Sequence, residues 1–233
     1  MKNISDKIDN YINNKNQALW NELNSVYEIE LFYDENEYSW FVEINSKKVK
    51  IVSNELDVNI PSFTHELLHV KLDMLGMSTF EDLEYFTSSN LIFNNFIFRN
   101  LLYRTRNFHS HKKMYPYFNE MGFDDEDFVS ERARFSFMSG IKLRIFKRIK
   151  YLKTIGIEQF LGNFFALKND FVKSDKKNID RSLKRLKNID KELYYIADDF
   201  DTEWHNRDDY DYIKSVEIFS ENLKEYLMKK YSR

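Results

Sequence analysis

Three short segments in the first quarter of the chain show the residue pattern of β-strands. Tyr27–Tyr33 and Lys48–Val52 alternate between apolar and polar positions, and Tyr38–Ile44 between them is rich in aromatic and β-branched residues. The turn-forming residues Asp34-Glu35-Asn36 and Asn45-Ser46 separate the three segments. The simplest arrangement is a small antiparallel meander of three strands.

A helical period governs the rest of the chain. Residues 5–25 are predicted to form one helix with Ser5 as its N-cap, and a second helix begins at Pro61 and ends at Gly76. Beyond Gly76 the pattern contains no convincing strand and predicts helices over about 79–105, 107–121, 130–153, 156–172, 177–204 and 208–231. The predicted class is therefore α+β, with the meander packed on the Pro61 helix and a mainly helical carboxyl-terminal half.

The composition narrows the function classes. A net charge of -3, from 35 basic and 38 acidic residues, argues against nucleic acid as the main partner. The amino-terminal residues lack the apolar core of a signal peptide, and the longest apolar stretch is too short to span a bilayer, so we expect a cytoplasmic protein without a membrane anchor. Cysteine is absent, so any metal ion must be held by His, Asp or Glu.

The predicted helix after Pro61 carries a motif with metal-binding chemistry. In His65-Glu66-Leu67-Leu68-His69 the two histidines are four residues apart, so a helix places both imidazoles on one face, where they can share a zinc ion. Glu66 follows the first ligand directly and can act as general base toward a water in the open coordination position. Because the surrounding residues are strongly apolar, two histidines are costly there unless they have partners. This setting favours metal binding over a chance match.

A helix with this motif directly after a short meander resembles the active-site helix of zincins. The segment His111–Phe123, with Tyr115-Pro116 at its centre, is also similar to a block in a group of bacterial HExxH proteins. Those proteins are distantly related to the ImmA/IrrE-type zinc metallopeptidases. The resemblance covers about residues 45–125. It departs from the group's pattern at Ser110, where the relatives often have Glu.

The resemblance has implications for fold and substrate. We expect a single zincin-like domain over residues 1–233, with a metallopeptidase-like core over 1–123 and a helical extension over 124–233. Zincins line their cleft with an edge strand, and Lys48–Val52 is the candidate for pairing with an extended peptide. Proteins of the ImmA/IrrE type usually cleave one regulatory partner, which implies a narrow specificity.

The third zinc ligand is open on the sequence alone. Leu75 and Ser89 stand where two known zincin groups carry their third ligand, so neither of those spacings applies. His111 is favoured, because the similar block retains it and because zinc readily accepts three histidines. The alternatives are other residues with suitable ligand atoms: Glu84, His109 and Glu131.

The function expected from these observations is that of a zinc-dependent peptidase acting on a specific cytoplasmic protein. Zinc would be held by His65, His69 and His111, with Glu66 as the base. Tyr115 is the candidate donor of a hydrogen bond to the tetrahedral intermediate. The alternative is a catalytically silent binding or regulatory module that keeps a zinc scaffold, and the Ser110 departure motivates it. A water-bearing open position favours catalysis, whereas four protein ligands favour a structural site.

Overall fold

The computed structural model describes residues 1–89, 96–128, 153–169 and 176–231. Within these ranges the fold is α+β, with a small mixed four-stranded sheet and mainly helical content, so the predicted class is confirmed. Two compact units are present: Met1–Leu75 with Lys113–Val129, and Gly76–Lys112 with Ser130–Arg233. The units interleave along the chain. The organisation as a single domain, with a core over 1–123 and an extension over 124–233, stays a prediction.

The sheet has four strands and the described residues form eight α-helices. The strands are β1 (Lys2–Asn3), β2 (Glu28–Tyr33), β3 (Phe41–Asn45) and β4 (Lys48–Ser53). The helices are α1 (Gln17–Asn24), α2 (Ile60–Met74), α3 (Phe80–Ser89), α4 (Phe96–Glu120), α5 (Lys153–Lys168), α6 (Lys176–Ile189), α7 (Lys191–Asn206) and α8 (Tyr212–Tyr231). Two 3₁₀ helices span Ser5–Tyr11 and Asp125–Asp127. None of these described helices is long and apolar enough to cross a membrane.

The sheet of the first unit is not the antiparallel meander that the sequence predicted. Its strand order is β1-β2-β4-β3, with β2 parallel to β4 and antiparallel to the short strand β1. Only the β3–β4 hairpin, turned at Ser46, has the predicted antiparallel pairing. Neighbouring strands lie about 4.8 Å apart, so the connection Asp34–Trp40 is long enough to reach past β4 to the far side. The turn residues therefore did not determine which strand β2 pairs with.

This strand order also corrects the predicted edge strand. Lys48–Val52 lies in β4, which is hydrogen-bonded on both sides, to β2 and to β3. Among the described residues β3 pairs with β4 alone, so Phe41–Asn45 is the long edge strand of the sheet. Helix α2 contacts both β3 and β4. The free backbone edge nearest the HExxH helix is therefore that of β3.

The core of the first unit includes residues of the central strands β2 and β4 and of helix α2. Leu31 in β2 and its register partner Ile51 in β4 are fully buried. Apolar residues of α2, including Phe63 and Leu67, are also fully buried, and Phe63 packs with Tyr11 at a ring-centroid distance of 5.4 Å. Burying this apolar surface is the main force that fixes α2 in the unit.

Polar contacts hold α2 at its start and in its first turns. The Asn59 side chain caps the helix by accepting a hydrogen bond from the Ser62 backbone N–H at 3.0 Å, and Pro61 occupies the first turn as predicted. Asn16 is fully buried and donates to the Thr64 hydroxyl at 2.9 Å. The residue directly before His65 is thus tied to a second element of the unit.

The segment 5–25 forms two helices instead of the single predicted one. The side chain of Asn16 accepts a hydrogen bond from the Asn13 backbone N–H and donates one to the Tyr11 carbonyl, which stabilises a turn between them. Ser5 is also not an N-cap: its hydroxyl bonds to the backbone of Leu31 in β2. Short polar side chains prefer such local backbone bonds, which compete with a continuous helix.

The described part of the second unit is helical, and two predicted helix boundaries in it are wrong. Helix α4 continues through residue 106, where a break was predicted. The residues around this position include no Gly or Pro, and the Thr105 hydroxyl donates a hydrogen bond to the Leu101 carbonyl within the helix. The predicted helix 177–204 is divided at Asp190, which caps α7 by accepting from the Leu193 N–H. The predicted helix 130–153 lies almost entirely outside the described residues.

Candidate metal centre

The structure brings together the three histidines that the sequence singled out. One ligand atom from each of His65, His69 and His111 lies within 4.8 Å of the other two, so the group could hold a metal ion. His65 and His69 are one turn apart on α2, with ring centroids separated by 5.1 Å. His111 comes from α4. The third member of the group is therefore the residue that the similar block retains.

The donor set fits a zinc-type ion. Zinc–nitrogen bonds of about 2.0–2.1 Å place the nitrogens of a tetrahedral site about 3.3 Å apart, which small side-chain rotations can reach from within 4.8 Å. His65 and His111 are only 4% and 3% exposed, and His69 is half-buried. Imidazole is a common ligand of zinc, copper, iron and nickel, so the three histidines define a class of metal ions.

Helix α4 carries His111 and continues into the first unit. The division between the two units falls inside this helix, directly after Lys112, but the helix itself is uninterrupted. Met114 and Phe118, which follow in the next two turns, are fully buried. His111 and these two buried residues are therefore carried by the same helix.

Glu66, the predicted general base, is a buried residue of α2. It follows His65 on α2 and is only 5% exposed. Burial raises the pKa of the Glu66 carboxyl to about 8, because the charged form loses its hydration. At neutral pH a carboxyl group with this pKa is mostly protonated, so Glu66 can act as a base only where a nearby positive charge lowers its pKa.

Tyr115 lies one turn after His111 on α4, but its hydroxyl donates a hydrogen bond to the Asp125 carboxylate. Its ring contacts Phe128 at 5.4 Å between centroids, and Phe128 in turn contacts His65 at 5.0 Å. Sequence reasoning missed both Asp125 and Phe128. They lie in and directly after the short 3₁₀ segment that follows Gly122, and no periodic pattern marks them.

The rival ligands lie elsewhere or outside the described residues. Glu84 on α3 is 61% exposed and lies 3.5 Å from Arg99, and His109 is fully buried with its Nε2 3.3 Å from Asp201. Glu131 is outside the described residues. Ser110, the departure from the similar block, is buried and donates to the Asn107 carbonyl within its own helix. Of the candidates that the structure describes, only His111 joins the pair on α2.

Comparison of the chain with known proteins found no match. No protein-family model matches the chain, and neither a curated protein nor a solved structure matches it. Any assignment of function must therefore be argued from the three histidines, from Glu66 and from the residues around them.

Replacing His111 by Ala is expected to weaken zinc binding by at least about 100-fold, because loss of a ligand should cost no less than loss of a supporting residue outside the coordination sphere. Glu84→Ala is the matched control and should bind zinc as the wild-type protein does, since Glu84 is exposed and paired with Arg99. Competition with a chromophoric chelator measures both affinities. The reverse order of effects would identify Glu84 as the ligand.

Proposed function

We propose that this protein is a zinc-dependent peptidase that hydrolyses a peptide bond in a specific cytoplasmic protein. The observation that carries the proposal is the meeting of His65, His69 and His111, with Glu66 adjacent to the first of them on the same helix. Three protein ligands leave a fourth position for water, which is the arrangement of catalytic zinc sites. The resemblance of residues 45–125 to zincins and ImmA/IrrE-type proteins supports the same assignment and a narrow specificity.

His65, His69 and His111 would hold the ion, which when bound lowers the pKa of a coordinated water and polarises the substrate carbonyl. The Glu66 carboxylate takes a proton from the attacking water as the water oxygen bonds to the carbonyl carbon. Glu66 then passes that proton to the amide nitrogen as the carbon–nitrogen bond breaks. One water is consumed, and the products are a carboxylic acid and an amine.

The β3 edge offers a means of holding the substrate. Backbone groups on the free side of Phe41–Asn45 can pair with an extended peptide, and α2 contacts this strand. Such pairing reads the backbone and tolerates many side chains. Specificity for one partner must therefore come from side chains beside the strand, among which Tyr38 is 96% exposed.

Tyr115 is the proposed donor to the oxygen that gains negative charge in the tetrahedral intermediate. It lies one turn from His111, on the same side of α4. Because its hydroxyl donates to Asp125 here, donation to a substrate requires the phenol to exchange this partner. Asp125 would then accept the hydrogen bond of the Tyr115 hydroxyl until substrate binds.

The proposal is tested by digesting a peptide mixture, derived from a whole proteome, with the zinc-loaded protein. New peptide termini are then identified by mass spectrometry. We expect cleavage that disappears when a chelator removes the metal and returns when zinc is added back, because the water and carbonyl are activated only when the three histidines are loaded. Cleavage that survives complete metal removal would rule out this function.

A second candidate is a zinc-scaffolded binding module without peptidase activity. The hydrogen bond from Tyr115 to Asp125 favours it, because it engages the donor that catalysis would need. In that case zinc stabilises the protein and no zinc-dependent termini appear. The same digestion, performed beside a measurement of thermal unfolding with and without zinc, distinguishes the two.

A further inference from the structure

A buried carboxylate contacts two residues of the helix that carries His111. Asp201 on α7 is 1% exposed, and its Oδ2 accepts a hydrogen bond from the Lys112 ammonium at 2.8 Å. Its Oδ1 lies 3.3 Å from His109 Nε2 and 3.2 Å from the Asn169 side-chain nitrogen. Burial raises the pKa of Asp201, but His109 and Lys112 outweigh burial and hold the pKa well below its ordinary value. Asp201 is therefore an ionised group with partners on either side of His111 in the sequence.

A second contact ties α7 to the same turn of α4. The Trp204 indole N–H donates to the backbone carbonyl of His109 at 3.1 Å, and both residues are fully buried. Asp201 and Trp204 are three residues apart and so lie on one side of α7. The ring of His109 is packed among aromatic side chains of the second unit: Phe165, Phe200, Trp204 and Tyr212.

The contacts of Asp201 with His109 and Lys112 constrain the direction in which His111 projects from α4. His109 and Lys112 are three residues apart and share a side of the helix, whereas His111 lies about 200° around the axis from His109. A side-chain atom lies about 5 Å from the axis, so a rotation of about 10° moves it by about 1 Å. This shift is comparable with the adjustment that the three ligand atoms must make to reach tetrahedral spacing, so the rotation of α4 affects how well His111 can bind the ion.

Helix α4 lacks one backbone hydrogen bond next to the residues that Asp201 contacts. Pro116 lies inside α4 and has no N–H, so the Lys112 carbonyl does not receive the helical hydrogen bond that residue 116 would otherwise donate. A local loss of this kind permits bending or rotation near His111. Contacts from outside the helix must then supply part of the constraint.

We propose that Asp201 is a positioning residue for the metal centre: by holding His109 and Lys112 it fixes the rotation of α4 and so the direction of the His111 imidazole. The inference rests on the proposed metal centre and extends it to a residue 90 positions further along the chain than His111. Asp201 does not touch the ion in this role. Its effect reaches the ion only through the orientation of a ligand.

The test compares Co²⁺ binding by the wild-type protein, Asp201→Asn and Asp190→Asn, because the visible spectrum of bound Co²⁺ reports ligand geometry. Asp190 is the matched control: it caps α7 and accepts hydrogen bonds from Tyr226 and Lys230 of α8, and none of these described partners lies on α4. Asp201→Asn should weaken Co²⁺ binding by about 10–100-fold and alter the spectrum, as loss of a supporting residue does. Asp190→Asn should retain the wild-type affinity and spectrum.

The outcomes separate this inference from the metal centre itself. If binding depends on His111 but Asp201→Asn binds Co²⁺ like the wild-type protein, the positioning role is wrong and the centre stands. Equal losses in Asp201→Asn and Asp190→Asn would mean a general effect of stability and would also overturn it. If wild-type protein binds no better than His111→Ala, both proposals fail. Should Asp201→Asn not fold, Trp204→Phe decides, with a several-fold loss of affinity and an altered spectrum expected.

Discussion

Replacing His69 by Ala is expected to reduce the zinc content from about one ion per chain to almost none. His69 supplies one of three ligand atoms that lie within 4.8 Å of one another, and two remaining imidazoles form a poor zinc site. His69 is half-buried, whereas His65 is buried against Phe128. Truncation at position 69 therefore removes a ligand with the smaller loss of packing. Elemental analysis of the purified protein, after dialysis against trace zinc, gives the result.

Thermal unfolding provides a second measurement on the same variant. An ion that binds only the folded state at about 100 times its dissociation constant stabilises that state by about 2.7 kcal/mol. Added zinc should therefore raise the unfolding midpoint of the wild-type protein and leave that of His69→Ala unchanged. His205→Ala, which removes an exposed histidine from α7, controls for nonspecific binding and should behave as the wild-type protein does. Full zinc content in His69→Ala would refute the metal centre.

The sequence predicted α2 well because local signals mark both of its ends. Pro61 lies in the first turn of the helix. Gly76 follows the helix with a φ of 90°, a backbone conformation that residues other than glycine rarely adopt. The spacing of His65 and His69 then follows from helical geometry alone. For α2, the features that depend on the helix and its own residues alone were accessible in this way.

The pairing of the strands was not accessible. Alternation of apolar and polar residues identifies β2 and β4 as strands but does not show that they are parallel neighbours. The connection between β2 and β3 is long enough for either arrangement, so no local signal excluded a simple meander. Consequently the sequence assigned the free edge to Lys48–Val52, when it belongs to β3.

The surroundings of the metal centre were hidden for a related reason. His111 was favoured through resemblance to a sequence block, whereas Asp201 and Phe128 had no such signal. Asp201 meets Lys112 across 89 positions of sequence, and its setting among acidic residues near Asp198 gave no sign of burial. Contacts that depend on the packing of distant helices need the structure.

Replacing Glu66 by Gln is expected to abolish peptide cleavage while zinc remains bound. Glutamine has nearly the same size as glutamate, so α2 and the three histidines should keep their places, but the amide cannot accept a proton from water. Loss of a general base typically costs about 10²–10⁴-fold in rate. The measurement is the rate of hydrolysis of a peptide found by the proteome-derived digestion, together with zinc content.

Glu84→Gln is the matched control for this variant, because it makes the same chemical change at an exposed glutamate of α3. It should cleave the peptide at the wild-type rate. Undiminished cleavage by Glu66→Gln would remove Glu66 from the mechanism and leave only a metal site. Loss of both zinc and activity would instead show that the buried Glu66 carboxyl supports the metal centre structurally. Retained zinc with lost cleavage is the result that a peptidase requires, because only then does the defect lie in proton transfer.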